Sequence, residues 1–133
     1  MFIVTNREVD ESARGLKKFG HRPNRLGPNE LRLAEAKRSG SGWSIKILPD
    51  ELPPAMRRQI DPGNKIEGKA FASHYVGHML LERVRRNKRD LLVFVHGYNN
   101  DVKAVLDRAE GFEKTYGVEV LIFTWPANGG GFK

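Results

Sequence analysis

The feature that most constrains the fold is the succession of strand, turn, helix and strand in residues 91–125. Residues 91–95, LLVFV, are consecutive apolar residues that end in the polar turn HGYNND. Apolar residues then recur at helical spacing over 102–116, Gly117 suits a helix C-cap, and VEVLIFTW follows at 118–125. Two strands joined by a helix favour parallel pairing. We therefore predict a right-handed parallel βαβ unit, with a buried central strand at 91–95.

Candidate site residues lie at the ends of both strands of this unit. They are one glycine and five polar or aromatic residues: His96, Gly97, Tyr98, Asn99, Trp125 and Asn128. In a parallel sheet the carboxyl ends of the strands meet at one edge, where ligands bind. Gly97 permits a sharp turn, and the side chains at 99–101 can cap the next helix, whose first N–H groups favour an anion. We predict one site here, in which His96 is an acid, a base or a structural hydrogen-bonding group.

The rest of the chain reads as one domain over residues 1–133. The pattern predicts a strand at 2–5, a β-hairpin at 31–48, a short helix at 54–60 and an amphipathic helix of about 18 residues from Lys69. Charged residues, glycines and prolines indicate long loops at 6–30 and 49–68, the first with one helical turn near 11–18. We interpret residues 127–133 as a flexible tail.

Composition excludes several classes of protein and site. The sequence contains no cysteine, which excludes disulfides and thiolate metal sites. It has no apolar run near the roughly 20 residues that span a bilayer, and its N-terminus lacks the pattern of a signal peptide. We therefore expect a cytoplasmic protein.

The net charge and the spacing of two histidines raise two other candidates, a nucleic-acid-binding surface and a metal site. The net charge of +7 permits binding to nucleic acid, and residues 83–89, RVRRNKR, could contact phosphates. The same run would also suit a solvated helix C-terminus, which is the interpretation we favour. His74 and His78 lie four apart, as metal ligands can, but the sequence offers no obvious third ligand. We expect neither a metal nor a cofactor.

The segment LLVFVHGYNND, the helix after it and VEVLIFTWPA resemble the opening of the alpha/beta hydrolase fold. The resemblance is closest to an uncharacterised bacterial branch with HGYN and TWP motifs, and it covers residues 91–128, with plausible leading strands in 1–48. It implies a three-layer α/β/α fold in which an N-terminal antiparallel hairpin leads into a partly parallel sheet. It also implies that the backbone N–H of Tyr98 belongs to an oxyanion hole, with His96, Gly97, Asn99 and Trp125 around it.

The sequence departs from that family at the nucleophile. The family's G-x-S-x-G motif follows the next strand of the fold, and residues 1–133 contain no such motif. The serines of the chain stand elsewhere, at Ser12, Ser39, Ser41, Ser44 and Ser73. We therefore expect the N-terminal fragment of a serine hydrolase for esters or amides, inactive alone, with a small-molecule substrate only in the full-length parent.

Two expectations about partners follow. The resemblance places the strand at 118–125 between the hairpin and 91–95, so the next strand of the fold would pair with the free side of 91–95. An uncovered apolar edge invites pairing with another chain, and we expect a homo-oligomer through residues 91–95. The alternative function is that of a small basic module which binds nucleic acid or a protein partner.

Overall fold

The chain folds into a mixed β-sheet with α-helices on both faces. This computed structural model describes residues 1–27, 30–97 and 101–126. The strands in these ranges are β1 (Phe2–Thr5), β2 (Arg7–Val9), β3 (Phe19–Pro23), β4 (Arg32–Ser39), β5 (Gly42–Ile47), β6 (Leu91–Val95) and β7 (Glu119–Thr124). The α-helices are α1 (Pro54–Ile60), α2 (Ala72–Asn87) and α3 (Val102–Tyr116). None of these helices is long and apolar enough to cross a membrane.

The order of strands in the main sheet is β5, β4, β1, β7, β6. The hairpin of β4 and β5 is antiparallel, β4 also pairs antiparallel with β1, and β1, β7 and β6 run parallel. The predicted α/β class is thereby confirmed, including the hairpin and the parallel β6–α3–β7 unit. β7 lies on the predicted side of β6, and β1 is inserted between β7 and the hairpin.

Alternate residues of the central strands build a core on each face of the sheet. Ile3 and Ile122 belong to the cluster that contains α3, whereas Phe2 and Leu121 belong to the cluster that contains α2. This is the period-two alternation of a strand covered on both sides. Complete burial of a side chain such as Ile3 or Ile122 contributes about 1.5–3 kcal/mol, so β1 and β7 form the fixed centre of the three layers.

Helix α3 is held at both of its ends. The side chain of Asp101 accepts a hydrogen bond from the backbone N–H of Ala104 at 2.7 Å, and Gly117 closes the helix with φ +63°. Both caps agree with the sequence, although Asn99 and Asn100 lie outside the described residues. Asp107 also accepts hydrogen bonds from Trp43 Nε1 and Arg38 Nη2, each at 3.0 Å, and these bonds tie the middle of the helix to the hairpin.

The prediction of a long loop over residues 6–30 is wrong. β2 and β3 pair there as a two-stranded antiparallel sheet, joined through a 3-10 turn at Gly15–Lys18 where one helical turn was predicted. These strands are short and mostly polar, so they carry no alternation that sequence reading could detect. They are ordered by distant contacts instead, since Phe19 is buried in the core on the α3 side of the sheet. The helix predicted at 54–60 is α1, within the second predicted loop.

The expectation that residues 91–95 form a buried central strand is also wrong. β6 stands at the edge of the sheet, and Val93 and Val95 are 56% and 58% exposed. A run of five apolar residues is typical of a strand covered on both faces. Here α3 packs against β7, and no strand among the described residues pairs with the outer side of β6. The tail predicted at 127–133 lies outside the described residues.

Apolar grooves flank β6 on the two faces of the sheet. One is lined by Leu92, Phe94, Phe112 and Tyr116 among others, and the opposite one includes Leu91. Large exposed apolar surface of this kind commonly marks an interface. The homo-oligomer expected from the sequence therefore stays a prediction, and it has a defined surface on which it can be tested.

We predict that Val93→Lys shifts the protein from a homo-oligomer to a monomer. The substitution places a charge at the middle of the exposed edge, where strand pairing with a second copy would bury it. Multi-angle light scattering at high protein concentration measures the change. Leu26→Lys introduces a lysine at another exposed apolar residue, outside β6, and should leave the mass unaltered. A wild-type chain that is monomeric at high concentration, with slowly exchanging amides in 91–95, would contradict the prediction.

Candidate functional site

Three parallel strands end at one edge of the sheet. Thr5 at the end of β1 is paired with Thr124 at the end of β7, and Val95 of β6 is paired with Phe123 of the same strand. His96, the first residue after β6, is therefore brought next to Thr124. This is the edge where ligands bind in open α/β sheets.

The imidazole of His96 is buried and fully engaged. The residue is 3% exposed, and its Nε2 lies 3.0 Å from the Thr124 hydroxyl oxygen. The backbone N–H of Trp125 donates to the same Nε2 at 3.2 Å, and Nδ1 lies 2.8 Å from the carbonyl oxygen of Gly97. Both ring nitrogens thus have partners, which is the state expected of a buried polar side chain.

Trp125 returns a second hydrogen bond to the same residue. Its indole Nε1–H donates to the backbone carbonyl of His96 at 3.1 Å. The two rings are nearly parallel, with an interplanar angle of 5° and centroids 5.4 Å apart. The residues that follow β6 and β7 therefore hold each other through two hydrogen bonds and an offset ring contact.

These bonds define the protonation state of His96. A backbone N–H can only donate, so Nε2 must accept from Trp125, and the ring proton must lie on Nδ1, where it donates to Gly97. Burial lowers the pKa of His96 below its ordinary value, and the positive charge of Arg7 lowers it further. Of the roles that the sequence left open, the geometry favours a neutral, structural hydrogen-bonding group over an acid or a base.

Three further residues of the site, Thr5, Arg7 and Thr124, were not found from the sequence. Thr5 Oγ1 donates to the carbonyl oxygen of Thr124 at 2.9 Å, and Arg7 Nε donates to Thr124 Oγ1 at 3.1 Å. Thr124 stands in the TWP motif and could have been inferred as a strand end. Arg7 carried no such signal, because it lies in a run of charged residues that is typical of exposed loops.

The structure brings together three of the residues predicted for the site, His96, Gly97 and Trp125. Tyr98, Asn99 and Asn128 lie outside the described residues. The assignment of these residues to an oxyanion hole stays a prediction.

The histidine pair on α2 is used locally. His74 Nδ1 accepts a hydrogen bond from the backbone N–H of Phe71 at 2.9 Å, and its ring stacks on Phe71. His78 lies 3.8 Å from Glu82, one turn further along the helix. Within the part of the chain that is described, no group of three or more histidine, cysteine, aspartate or glutamate side chains could hold a metal.

The basic run at 83–89 is largely paired with carboxylates. Arg83 bonds to Glu35 at 2.9 Å, and Arg86 and Arg89 lie 3.8 and 4.0 Å from Glu82 and Glu119. These carboxylates offset positive charge that would otherwise attract a phosphate backbone. The arrangement favours the interpretation of the run as an ion-paired helix end.

Comparison with known proteins finds a match for the second part of the chain. Residues 73–133 match a family described as alpha/beta hydrolase of unknown function (DUF900). This match supports the assignment to the alpha/beta hydrolase family that the sequence motifs suggested. The matched segment includes β6, α3 and β7, and so contains His96, Gly97 and Trp125. No curated protein matches the chain, and neither does any solved structure.

We predict that the free energy of unfolding decreases as the pH is lowered below about 6.5, the ordinary pKa of histidine, because His96 is neutral in the folded protein. The folded pKa is lowered, so the unfolded chain binds this proton first and the free energy of unfolding decreases as pH drops towards the folded pKa. For one group the slope is at most about 1.4 kcal/mol per pH unit. Chemical denaturation from pH 7.5 to 5.5 measures the decrease.

His96→Gln is expected to flatten this dependence, because the titrating ring is gone. His21→Gln makes the same change at an exposed histidine on β3 and should retain the wild-type slope. If wild type and His96→Gln lose stability in parallel over this range, His96 is not the group responsible.

Proposed function

We propose that this chain supplies the oxyanion-hole side of a serine hydrolase site that cleaves ester or amide bonds. The match of residues 73–133 to an alpha/beta hydrolase family supports the reaction class. The position of His96 and Trp125 at the carboxyl edge of the parallel strands supports the location of the site.

The observation that carries the proposal is the 2.8 Å hydrogen bond between His96 Nδ1 and the carbonyl oxygen of Gly97. A peptide group is planar, so a bond that holds its carbonyl also restrains the direction of the N–H in the same group. The family resemblance assigns that N–H, which belongs to Tyr98, to the oxyanion hole. Tyr98 itself lies outside the described residues. In the proposed function, His96 orients the peptide that stabilises negative charge.

The chemistry requires a nucleophile and a base from elsewhere. Attack on an ester or amide carbonyl places negative charge on its oxygen, and oriented N–H donors lower the barrier by stabilising that charge. His96 is not the base, since Nε2 already accepts hydrogen bonds and the ring is buried. The sequence of residues 1–133 has no G-x-S-x-G motif. The attacking serine is therefore proposed to come from sequence beyond these residues.

We predict that no serine of residues 1–133 reacts as a nucleophile. A fluorophosphonate probe, followed by intact mass measurement, should give no adduct on this chain. A longer protein that continues the reading frame past Lys133 should be labelled at a G-x-S-x-G serine and should hydrolyse p-nitrophenyl esters. In that protein His96→Gln should lower kcat roughly tenfold to a hundredfold, because a donor that is less well oriented should cost less than the removal of one, which costs about 10²–10³.

His21→Gln is the control for that variant and should leave kcat unchanged. The proposal is wrong if one of the five serines is labelled and its replacement by alanine abolishes hydrolysis. It is equally wrong if the labelled, active longer protein keeps its kcat when His96 is replaced.

A further inference from the structure

Arg7 is the most unusual side chain at the strand-end site. It is the first residue of β2, is only 2% exposed, and lies outside the segment that matches the hydrolase family. Among the described residues no carboxylate forms an ion pair with it, and its Nη2 has no hydrogen-bond partner. A buried charge without a paired carboxylate is costly to stability. An apolar residue of similar length would avoid that cost, so the guanidinium calls for a role other than stability.

The hydrogen bonds of Arg7 all secure the ends of the strands. Nε donates to Thr124 Oγ1 at 3.1 Å, and Nη1 donates to the carbonyl oxygen of Gly20 at 2.9 Å. The backbone N–H donates to Thr5 Oγ1 at 3.0 Å, and Thr5 in turn bonds to the Thr124 carbonyl. Arg7 therefore connects the β2–β3 sheet to the end of β7, next to His96.

The bond to Thr124 decides where the hydroxyl hydrogen of that residue points. A hydroxyl carries one hydrogen and can accept at its lone pairs. Since Thr124 Oγ1 accepts from Arg7, its own hydrogen is available to donate to His96 Nε2, 3.0 Å away. Nε2 is then an acceptor for two donors, Thr124 and Trp125, and the ring proton stays on Nδ1.

We propose that Arg7 is a positioning residue for the hydrolase site. Through Thr124 it directs a second donor at His96 Nε2, which reinforces the Nδ1–H tautomer that the Trp125 N–H requires, and that tautomer holds the carbonyl of Gly97. The effect of Arg7 on His96 through Thr124 concerns only the described residues. The consequence for catalysis rests on the proposed function, in which the Gly97 peptide orients an oxyanion-hole N–H.

Charges around the ring act in the same direction. The positive charge of Arg7 opposes protonation of His96, and burial has a larger effect of the same sign on the pKa of the ring. Asp101, at the start of α3, interacts with the Arg7 charge and partly offsets the burial of the guanidinium. Replacement of Arg7 by an apolar residue should therefore ease protonation of His96.

The test is the protonation of His96, read from long-range ¹H–¹⁵N correlation spectra of its ring at pH values from 7.5 to 5. The His96→Gln spectrum identifies the signal by its absence. Wild type at pH 7.5 should show unprotonated Nε2 and protonated Nδ1. Arg7→Met keeps a long side chain without charge or donors, and its His96 should become protonated at a higher pH than in wild type.

Thr124 provides a second pair of variants in case Arg7→Met does not fold. Thr124→Val keeps the shape and the Arg7 charge but removes the hydroxyl donor, and it should raise the pKa of His96 as Arg7→Met does. Thr124→Ser keeps the hydroxyl and should preserve the wild-type pKa. A protonated Nε2 in wild type at pH 7.5 overturns the proposal, as does an unchanged His96 pKa in folded Arg7→Met or in Thr124→Val.

These spectra separate the proposal from the proposed function, because they require no hydrolysis. In the longer, active protein, Arg7→Met should lower kcat roughly tenfold with little change in KM, since an oxyanion donor acts mainly in the transition state. A higher His96 pKa in Arg7→Met of a protein without hydrolase activity would support the role of Arg7 towards His96 and contradict the hydrolase proposal. A higher His96 pKa with unchanged kcat in the active protein would overturn the positioning role.

Discussion

The site depends on the single hydroxyl group of Thr124, which lies between a buried cation and a buried imidazole. It accepts from Arg7 at 3.1 Å and lies 3.0 Å from His96 Nε2, so it joins residues that are 89 positions apart in sequence and arrive on different strands. Groups in such a network are worth more together than separately, because each restricts the orientation of the next. Thr124 can occupy this position because it ends β7, the strand between β1 and β6.

The hydrogen bonds of β7 also explain how an edge strand can carry a site. β6 has a strand partner on one side only among the described residues, and an exposed edge of this kind would ordinarily be free to fray. Both of its ends are tied to β7. Before β6, the backbone N–H of Glu119 donates to the Asp90 carbonyl at 2.9 Å, and after it Trp125 and His96 bond to each other. The His96–Trp125 pair therefore restrains the end of β6, as hydrogen bonds to a second neighbouring strand would.

Local patterns in the sequence were sufficient for the elements around the site. The period of 102–116, with Asp101 and Gly117 at its ends, predicted α3 and both caps, and the rule for carboxyl ends placed His96 near Trp125. Arg7 could not be found in this way, because its partners are distant in sequence and its neighbours are polar. The same reason explains the error over 6–30. Burial of β6 was overestimated because an apolar run predicts that a strand is to be covered, without identifying what covers it.

The site is built from both the N-terminal segment and the segment that matches the hydrolase family. The hydrolase family match begins at residue 73, whereas Thr5 and Arg7 come from the first strand and the residues just after it. β1 reaches the site because it pairs in parallel with β7, which places Thr5 opposite Thr124. Through this parallel register, an N-terminal segment outside the family match supports His96 and Trp125, which lie inside the match. A substitution in β1 that shifted this register by one residue would exchange the residues that face α3 with those that face α2, and would remove both Thr5 and Arg7 from Thr124 at once.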